Sequence, residues 1–371
     1  MLSEPTYLAA RMVAPQLEAH FMERHAEDLA AGVFLPPAAL VEVLIDVAFW
    51  ASLRQEEGHP PKISLALLPP GPVAQPLLLG KPRRLTAYNL LKLAPAVEQP
   101  GIHLGVWHDA DGLYVWGTAT SLPPLCLVLE VVEPGLLVAK HSRAEGFGKF
   151  INLAILRGDQ LQLVDVEHTM ADDYPALRPF LPGNGHPTDP NEPDSVLVEL
   201  AAAMRAHGRG GLVLMVPPHS TAWQASIVQP ITYPIEPPYT GIAQAQQQDA
   251  GHWQDDYRRA IGIVGGFTAV DGATVITRDY HMLAFGVKVT RAATSVPVEQ
   301  LMLTEPVIGS ETQYLHPAQN GGTRHLAAAQ FVHDQHDALA LVASQDGFFT
   351  VFAWSAARQM VHAHRIDVLL L

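Results

Sequence analysis

"DALALVASQDGFFTVFA", residues 337–353, sets the fold class of this chain. Two short runs rich in small, β-branched and aromatic residues flank Ser344-Gln345-Asp346-Gly347. Asp and Gly accept the positive φ that tight turns need, so the stretch specifies strand, turn and strand. Just upstream, "NGGTRHLAAAQF" (320–331) places two glycines and Thr323 ahead of an Arg-His pair and a run of small apolar residues, a loop-to-helix junction. Further back come a helix in "HWQDDYRRAIGIVGGF" (252–267), a strand in "ATVIT" (273–277) and a strand in "MLAFGVKV" (282–289). A closing helix is expected over "SAARQMVHAH" (355–364). The C-terminal part therefore reads as a compact α/β domain with hairpins.

The N-terminal part changes period once. Residues 8–54 carry Leu, Met, Phe and Val at helical spacing, and "LPPAALVEVLIDVAFWASLRQEEG" (35–58) has a proline-marked start and a glycine stop. From 63 to 165 short β-rich runs follow one another, among them "GIHLGVWHDADGLYVWGTAT", "LCLVLEVV", "GLLVAKHS" and "FINLAILRGDQLQLVDV". Proline and glycine between Asp172 and Asp194 indicate a loop; a helix ("SVLVELAAAMRAHG", 195–208) and a strand ("GLVLMVP", 211–217) come next. The prolines and glutamines of "PITYPIEPPYTGIAQAQQQ" (230–248) place a boundary near residue 238. The expected architecture is α/β in two domains: a mixed α/β domain over 1–238, and a mixed β-sheet flanked by helices over 239–371.

Composition narrows the function. The chain has 371 residues, 23 Lys plus Arg against 37 Asp plus Glu, and a formal charge of −14, with no basic stripe, which argues against binding a nucleic-acid polymer. Cys126 is the single cysteine; it reads as a core residue in a reducing compartment and excludes a thiolate zinc site. The apolar run around it is broken by Glu130, Glu133 and Pro134, and no secretory leader pattern precedes it. A cytoplasmic protein without a membrane span is the expectation.

Three Asp-Gly pairs adjoin strands: Asp111-Gly112, Asp271-Gly272 and Asp346-Gly347. Each alone is a turn. Asp271 differs in its company. A carboxylate at a strand edge can hold a divalent cation, Gly272 lets a planar base or ribose approach the backbone, and the later Gly321-Gly322-Thr323 can expose N–H groups at a helix start, where the dipole favours anions. Arg324 can grip phosphate oxygens in a bidentate fork. Together the two segments make a candidate nucleotide site.

At these residues the sequence resembles the diadenylate cyclase (DAC) domain family. "DGA" at Asp271 to Ala273, "GTRH" at Gly322 to His325 and "DALALVASQDGFFTVF" look like that family's DGA, GTRHR and DA-hydrophobic-SEE-G blocks, in order, over roughly 250–355. Residues before about 235 resemble the DACNV type of sensor domain that precedes such domains. The resemblance implies condensation of two ATP into cyclic di-AMP with release of pyrophosphate, in a homodimer or higher oligomer whose two domains meet face to face. It implies Mg²⁺ or Mn²⁺ at Asp271, with Asp346 where the family has a metal-binding glutamate. Gly272 and Ala273 would line the nucleoside, Gly322, Thr323, Arg324 and His325 would hold phosphates, and Ser344 would complete the nucleotide contacts. Two positions depart from the pattern: Leu326 stands where the family has arginine, and Gln345-Asp346 replaces two glutamates. From these follows a second reading, a catalytically impaired domain that senses ATP or cyclic di-AMP.

Other motifs are weaker. "HDQHD" (His333 to Asp337) and "DVEHTMADD" (165–173) read as solvated loop and surface turn rather than metal sites. "GFGKF" (146–150) and "GIVGGF" (262–267) lack the spacing or context of a phosphate loop, and "HGRGGLVLMVP" has its glycines on the wrong side of the strand for a dinucleotide fold. Trp107, Trp116, Trp223 and Phe285 read as core.

Overall fold

The computed structural model describes residues 5–28, 34–71, 76–143, 150–165, 193–247 and 253–371. The Asp172–Asp194 loop (but for its last two residues), the turn within 165–173 beyond Asp165, and all of "GFGKF" but Phe150 lie outside them. The chain is α/β, with two mixed sheets, and divides into two compact units, Met1–Asp165 and Val166–Leu370.

In the first unit α1 (Leu8–Asp28) and α2 (Ala38–Ser52) pack together. α2 buries Val41, Leu44, Ile45, Ala48 and Ser52, the three-and-four spacing of one helix face. Its sheet contains β1 (Ile63–Leu67), β2 (Leu77–Arg84), β3 (His103–Asp109), β4 (Gly112–Ala119), β5 (Leu127–Glu133), β6 (Leu136–Ser142), β7 (Phe150–Arg157) and β8 (Gln160–Leu163). The order is β2-β4-β3-β1-β5-β6-β7-β8; only β1 and β3 run parallel, joined through α3 (Ala87–Leu93). Cys126 is buried beside this sheet and desolvation pushes its thiol up to about 12, as a core cysteine requires.

The second unit begins with α4 (Pro193–Ala206) and β9 (Gly211–Val216), followed by β10 (Tyr233–Tyr239), α5 (Gly241–Gln246), α6 (Trp253–Phe267), β11 (Ala273–Thr277) and β12 (Met282–Val287). Next come β13 (Leu301–Thr304), β14 (Gln313–Leu315), α7 (Pro317–Asn320), α8 (Thr323–Asp334), β15 (Leu339–Ala343), β16 (Phe349–Ser355) and β17 (Met360–Arg365). The sheet order is β10-β12-β11-β9-β15-β16-β17-β13-β14, with β9/β11 and β13/β17 parallel. Alternate side chains of β9 serve opposite faces: Val213 and Met215 pack with Leu200, Met204, Ile261 and Val264 of α4 and α6, while Leu212 and Leu214 pack with Ala328, Phe331 and Val332 of α8. Burial on both faces explains why "GLVLMVP" is apolar throughout.

Two expectations are corrected here. The second unit does not start at residue 239: β9 pairs with both β11 and β15 at the centre of the sheet, and the expected linker forms β10 and α5. Nor does residue 355 open a helix. Ser355–Gln359 turns the chain, with Gln359 at φ 53°, and Met360–Arg365 pairs with β16 as β17. Ala, Arg, Gln and Met favour helix locally, but the ladder running from Ser355↔Met360 to Thr350↔Arg365 prevails. Its alternation puts His362 and His364 on one face, where both rings meet the Thr304 hydroxyl at 2.9 Å.

Candidate functional site

All three sequence blocks converge on one end of the second sheet. β9 and β11 start there, β12 and β15 finish there, and α8 begins above it. The register fixes this: Ala273 pairs with Val287, and Gly211 pairs with Ala343.

A cavity of about 930 Å³ opens at this end, within the size range of sites for small ligands. Asp271, Gly272 and Ala273 line one side; Thr323, Arg324, Leu326, Ala327 and Gln330 of α8 line the other. Asp271 is exposed on a turn that only glycine closes. Gly272 has φ 103°, and a Cβ there would stand 2.5 Å from the Gly286 carbonyl carbon. The close approach of these two backbones draws the turn against β12.

On the facing wall Gly322 is the N-cap of α8 without a side-chain cap. The His325 N–H already donates to the Gly322 carbonyl at 3.0 Å, whereas the N–H groups of Thr323 and Arg324, at the first two helical positions, have no acceptor in the helix ladder and can meet an anion. The Arg324 guanidinium extends to the turn before β9: a Cβ on Gly210 would lie 3.3 Å from its Nη1 and 3.5 Å from Gln345 Cγ. Its charge also helps lower the pKa of His207, after burial and Arg209.

The structure thus brings Asp271, Gly272, Ala273, Thr323 and Arg324 around one volume. Three expected contributors stand elsewhere. His325 faces inward, only 5% exposed, its ring against Gly321 and edge-on to Phe352 at 5.9 Å. Burial, with Arg365 second, pushes it down to about 4, so it is neutral near pH 7 and supplies no cation to phosphate. Ser344 closes the β15–β16 turn, its hydroxyl accepting from the Phe348 N–H at 3.1 Å. Asp346 is exposed on that turn, next to Gln345, whose amide donates to the Arg209 carbonyl at 3.3 Å; neither side chain lines the cavity.

For a divalent cation the donor set is sparse. Among the described residues no three His, Cys, Asp or Glu side chains gather as a metal site. A hard cation held by one carboxylate, Asp271, and otherwise by phosphate and water oxygens fits this arrangement, because Mg²⁺ keeps several waters and binds through one or two carboxylates. "HDQHD" is not a loop throughout: His333 and Asp334 end α8. The Asp334 carboxylate is fully buried and accepts from the Ala292 N–H (2.6 Å), the Ser295 hydroxyl (2.5 Å) and the Gln330 amide (2.8 Å).

Sequence reading did not single out Lys288, Arg291 and His316, which also line the cavity. Their signal was faint: Lys288 is the one cation within "MLAFGVKV", and Arg291 and His316 are isolated in the connector that follows it. Pocket-forming residues also occur in the first unit, where Glu56, Glu57, His59, Lys62 and Glu98 surround about 550 Å³.

Residues 32–120 match a family model described as "Probable sensor domain DACNV", a domain found with diadenylate cyclases. The match spans α2 through β4, that is, the β2-β4-β3-β1 half of the first sheet with α2 and α3. No curated protein matches the chain. Among the described residues no helix is long and apolar enough to cross a membrane.

Proposed function

We propose that the second unit binds ATP in the cavity between the Asp271 turn and α8, and that it is a DAC-like nucleotidyltransferase condensing two ATP into cyclic di-AMP and pyrophosphate under control of the first unit. The observation that supports this is the meeting of Asp271-Gly272-Ala273 and Thr323-Arg324, some fifty residues apart in sequence, around one cavity of about 930 Å³. The sensor-domain match in the first unit supports the same context.

Each residue has a physical task in this reading. Gly272 presents backbone rather than side chain to the nucleoside, and Ala273 extends that flat surface. Thr323 and Arg324 receive the phosphates, through helix N–H groups and a guanidinium fork. Asp271 and phosphate oxygens would hold Mg²⁺ or Mn²⁺, which supplies Lewis-acid stabilisation and lowers the pKa of the attacking 3′-hydroxyl. Asp346 lies outside the cavity wall, so it does not join Asp271 around a nucleotide held there. Catalysis is chiefly positioning and charge stabilisation, and a second copy of the chain brings the second ATP.

One observation favours a second reading, a sensor that binds ATP or cyclic di-AMP without turnover. Leu326, in the place of the family's arginine, lines the cavity and is 40% exposed, so this wall carries an apolar side chain where a cation would face phosphate.

Incubation with ATP and Mn²⁺, followed by chromatography for cyclic di-AMP, separates the two. Product from the wild type and none from Asp271→Asn is the expected result. Absence of product, with ATP or cyclic di-AMP still raising the melting temperature, would replace the cyclase by the sensor.

A further inference from the structure

The wall opposite α8 carries charge that the sequence blocks do not include. Lys288 and Arg291 line the cavity with Arg324, and among the described residues none of these three forms an ion pair. In a chain of formal charge −14, a cavity lined by two Arg and one Lys against a single carboxylate, Asp271, is an exception to the overall balance. Such a local excess attracts anions.

The segment bearing these cations is fixed at both ends. Val287 is the register partner of Ala273, so Lys288 leaves β12 beside the Asp271–Gly272 turn. The Lys288 carbonyl accepts from the Val228 N–H at 2.8 Å, and the Thr290 N–H donates to the Ser226 carbonyl at 3.0 Å. On the far side of Arg291, the Ala292 N–H and the Ser295 hydroxyl donate to the buried Asp334 carboxylate. The Val298 N–H donates to Gln330 Oε1 at 3.1 Å, and Gln330 Nε2 returns a bond to the Val296 carbonyl at 3.1 Å. Arg291 itself is exposed. An exposed guanidinium on a backbone anchored before and after it loses less freedom on gripping a ligand than one on a free loop.

We propose that residues 288–298 form a cationic strap in which Lys288 and Arg291 bind the polyphosphate of the nucleotide, supplying from the β12 side the charge that Leu326 does not supply from α8. The proposal rests on the nucleotide reading of the cavity. It adds a second set of phosphate ligands and assigns Asp334 and Gln330 the role of positioning them. It also explains how a cavity with an apolar Leu326 on its wall can hold a highly charged ligand.

Calorimetric titration of the full chain with ATP and, separately, with adenosine tests it. Arg291→Gln and Lys288→Gln should each weaken ATP binding by about tenfold or more, as loss of a charge-assisted phosphate contact does, while adenosine affinity stays the same. Leu326→Arg in the Arg291→Gln background should recover much of the ATP affinity. ATP binding unchanged in both strap variants but lost in Arg324→Ala would overturn the strap and leave the nucleotide site standing. Equal losses for ATP and adenosine would also overturn it, because they would indicate a collapsed cavity rather than a missing phosphate contact. A wild type that binds neither ATP nor adenosine would remove the nucleotide reading and the strap with it.

Discussion

The turns at Asp111–Gly112 and Asp271–Gly272 are built from the same dipeptide at comparable φ, 118° and 103°, yet only the second is crowded. A Cβ on Gly112 would meet nothing within 4 Å, and the same is true of Gly347 in the third Asp-Gly pair. A Cβ on Gly272 would strike the Gly286 backbone. The carboxylates differ as well: Asp111 pairs with Arg84 at 3.0 Å on the surface, whereas Asp271 lines a cavity. A sequence motif therefore marks a turn equally well in both places, and the surroundings decide whether the turn is also a wall.

The sharpest way to break this contrast is to add the missing methyl group. Gly272→Ala should destabilise the second unit by about 3 kcal/mol or more, from strain at positive φ plus overlap with backbone that has little room to yield. Gly112→Ala should cost the first unit only about 1 kcal/mol, the φ penalty alone. Urea unfolding of each variant measures both, and equal effects would show that the crowding at Gly272 is relieved at little cost.

Acid provides a smaller effect, next to the same cavity. His325 sits at about 4 in the folded chain through burial, below the ordinary value near 6.5. The unfolded chain thus binds this proton first, so stability is intact above about pH 6.5 and falls as pH drops from there towards 4. His325→Gln should flatten the stability-against-pH slope in that window by up to about 1.4 kcal/mol per pH unit, whatever its constant offset. An unchanged slope in unfolding measured at a series of pH values would mean the ring is protonated while folded.

Smallest in stability, and most telling for function, is the pair of carboxylate variants. Neither Asp111→Asn nor Asp271→Asn should shift the melting temperature of the free protein noticeably, since exposed charges contribute little. If the second unit takes up ATP as proposed, ATP with Mn²⁺ should raise the melting temperature, and only Asp271→Asn should diminish that rise. If Asp111→Asn diminished it too, the distinction between the turns would not be one of function.

Legibility in the sequence followed the range of the forces involved. Helical spacing in 35–58 and the β-rich runs of 101–166 were readable because each repeats within a few residues, and so was the hairpin around Gln345-Asp346. The strand character of Met360–Arg365 was hidden, because its own residues favour helix and its partners Thr350–Ser355 lie across a turn. The boundary was misplaced for a related reason: nothing near "GLVLMVP" announces that its partners are Thr274–Thr277 and Leu339–Ala343. At the site, Asp271, Gly272 and Arg324 were recoverable from their chemistry. The neutrality of His325 was not, since it depends on burial against Phe352. Lys288 and Arg291 carry no motif at all; the fold alone gathers them.

The central place of β9 has a consequence for synthesis. As the chain is made from its N-terminus, this strand emerges well before either neighbour, and Val213 must wait first for Thr274 and then for Leu341. Until β15 is complete, one side of β9 is an unpaired apolar edge, the kind of surface that aggregates or engages chaperones. The Asp271 turn and the start of α8 are both made earlier than β15, yet the sheet end that holds them together closes only with it. The cavity at this end of the sheet can therefore take shape only late in translation, when most of the second unit has been made.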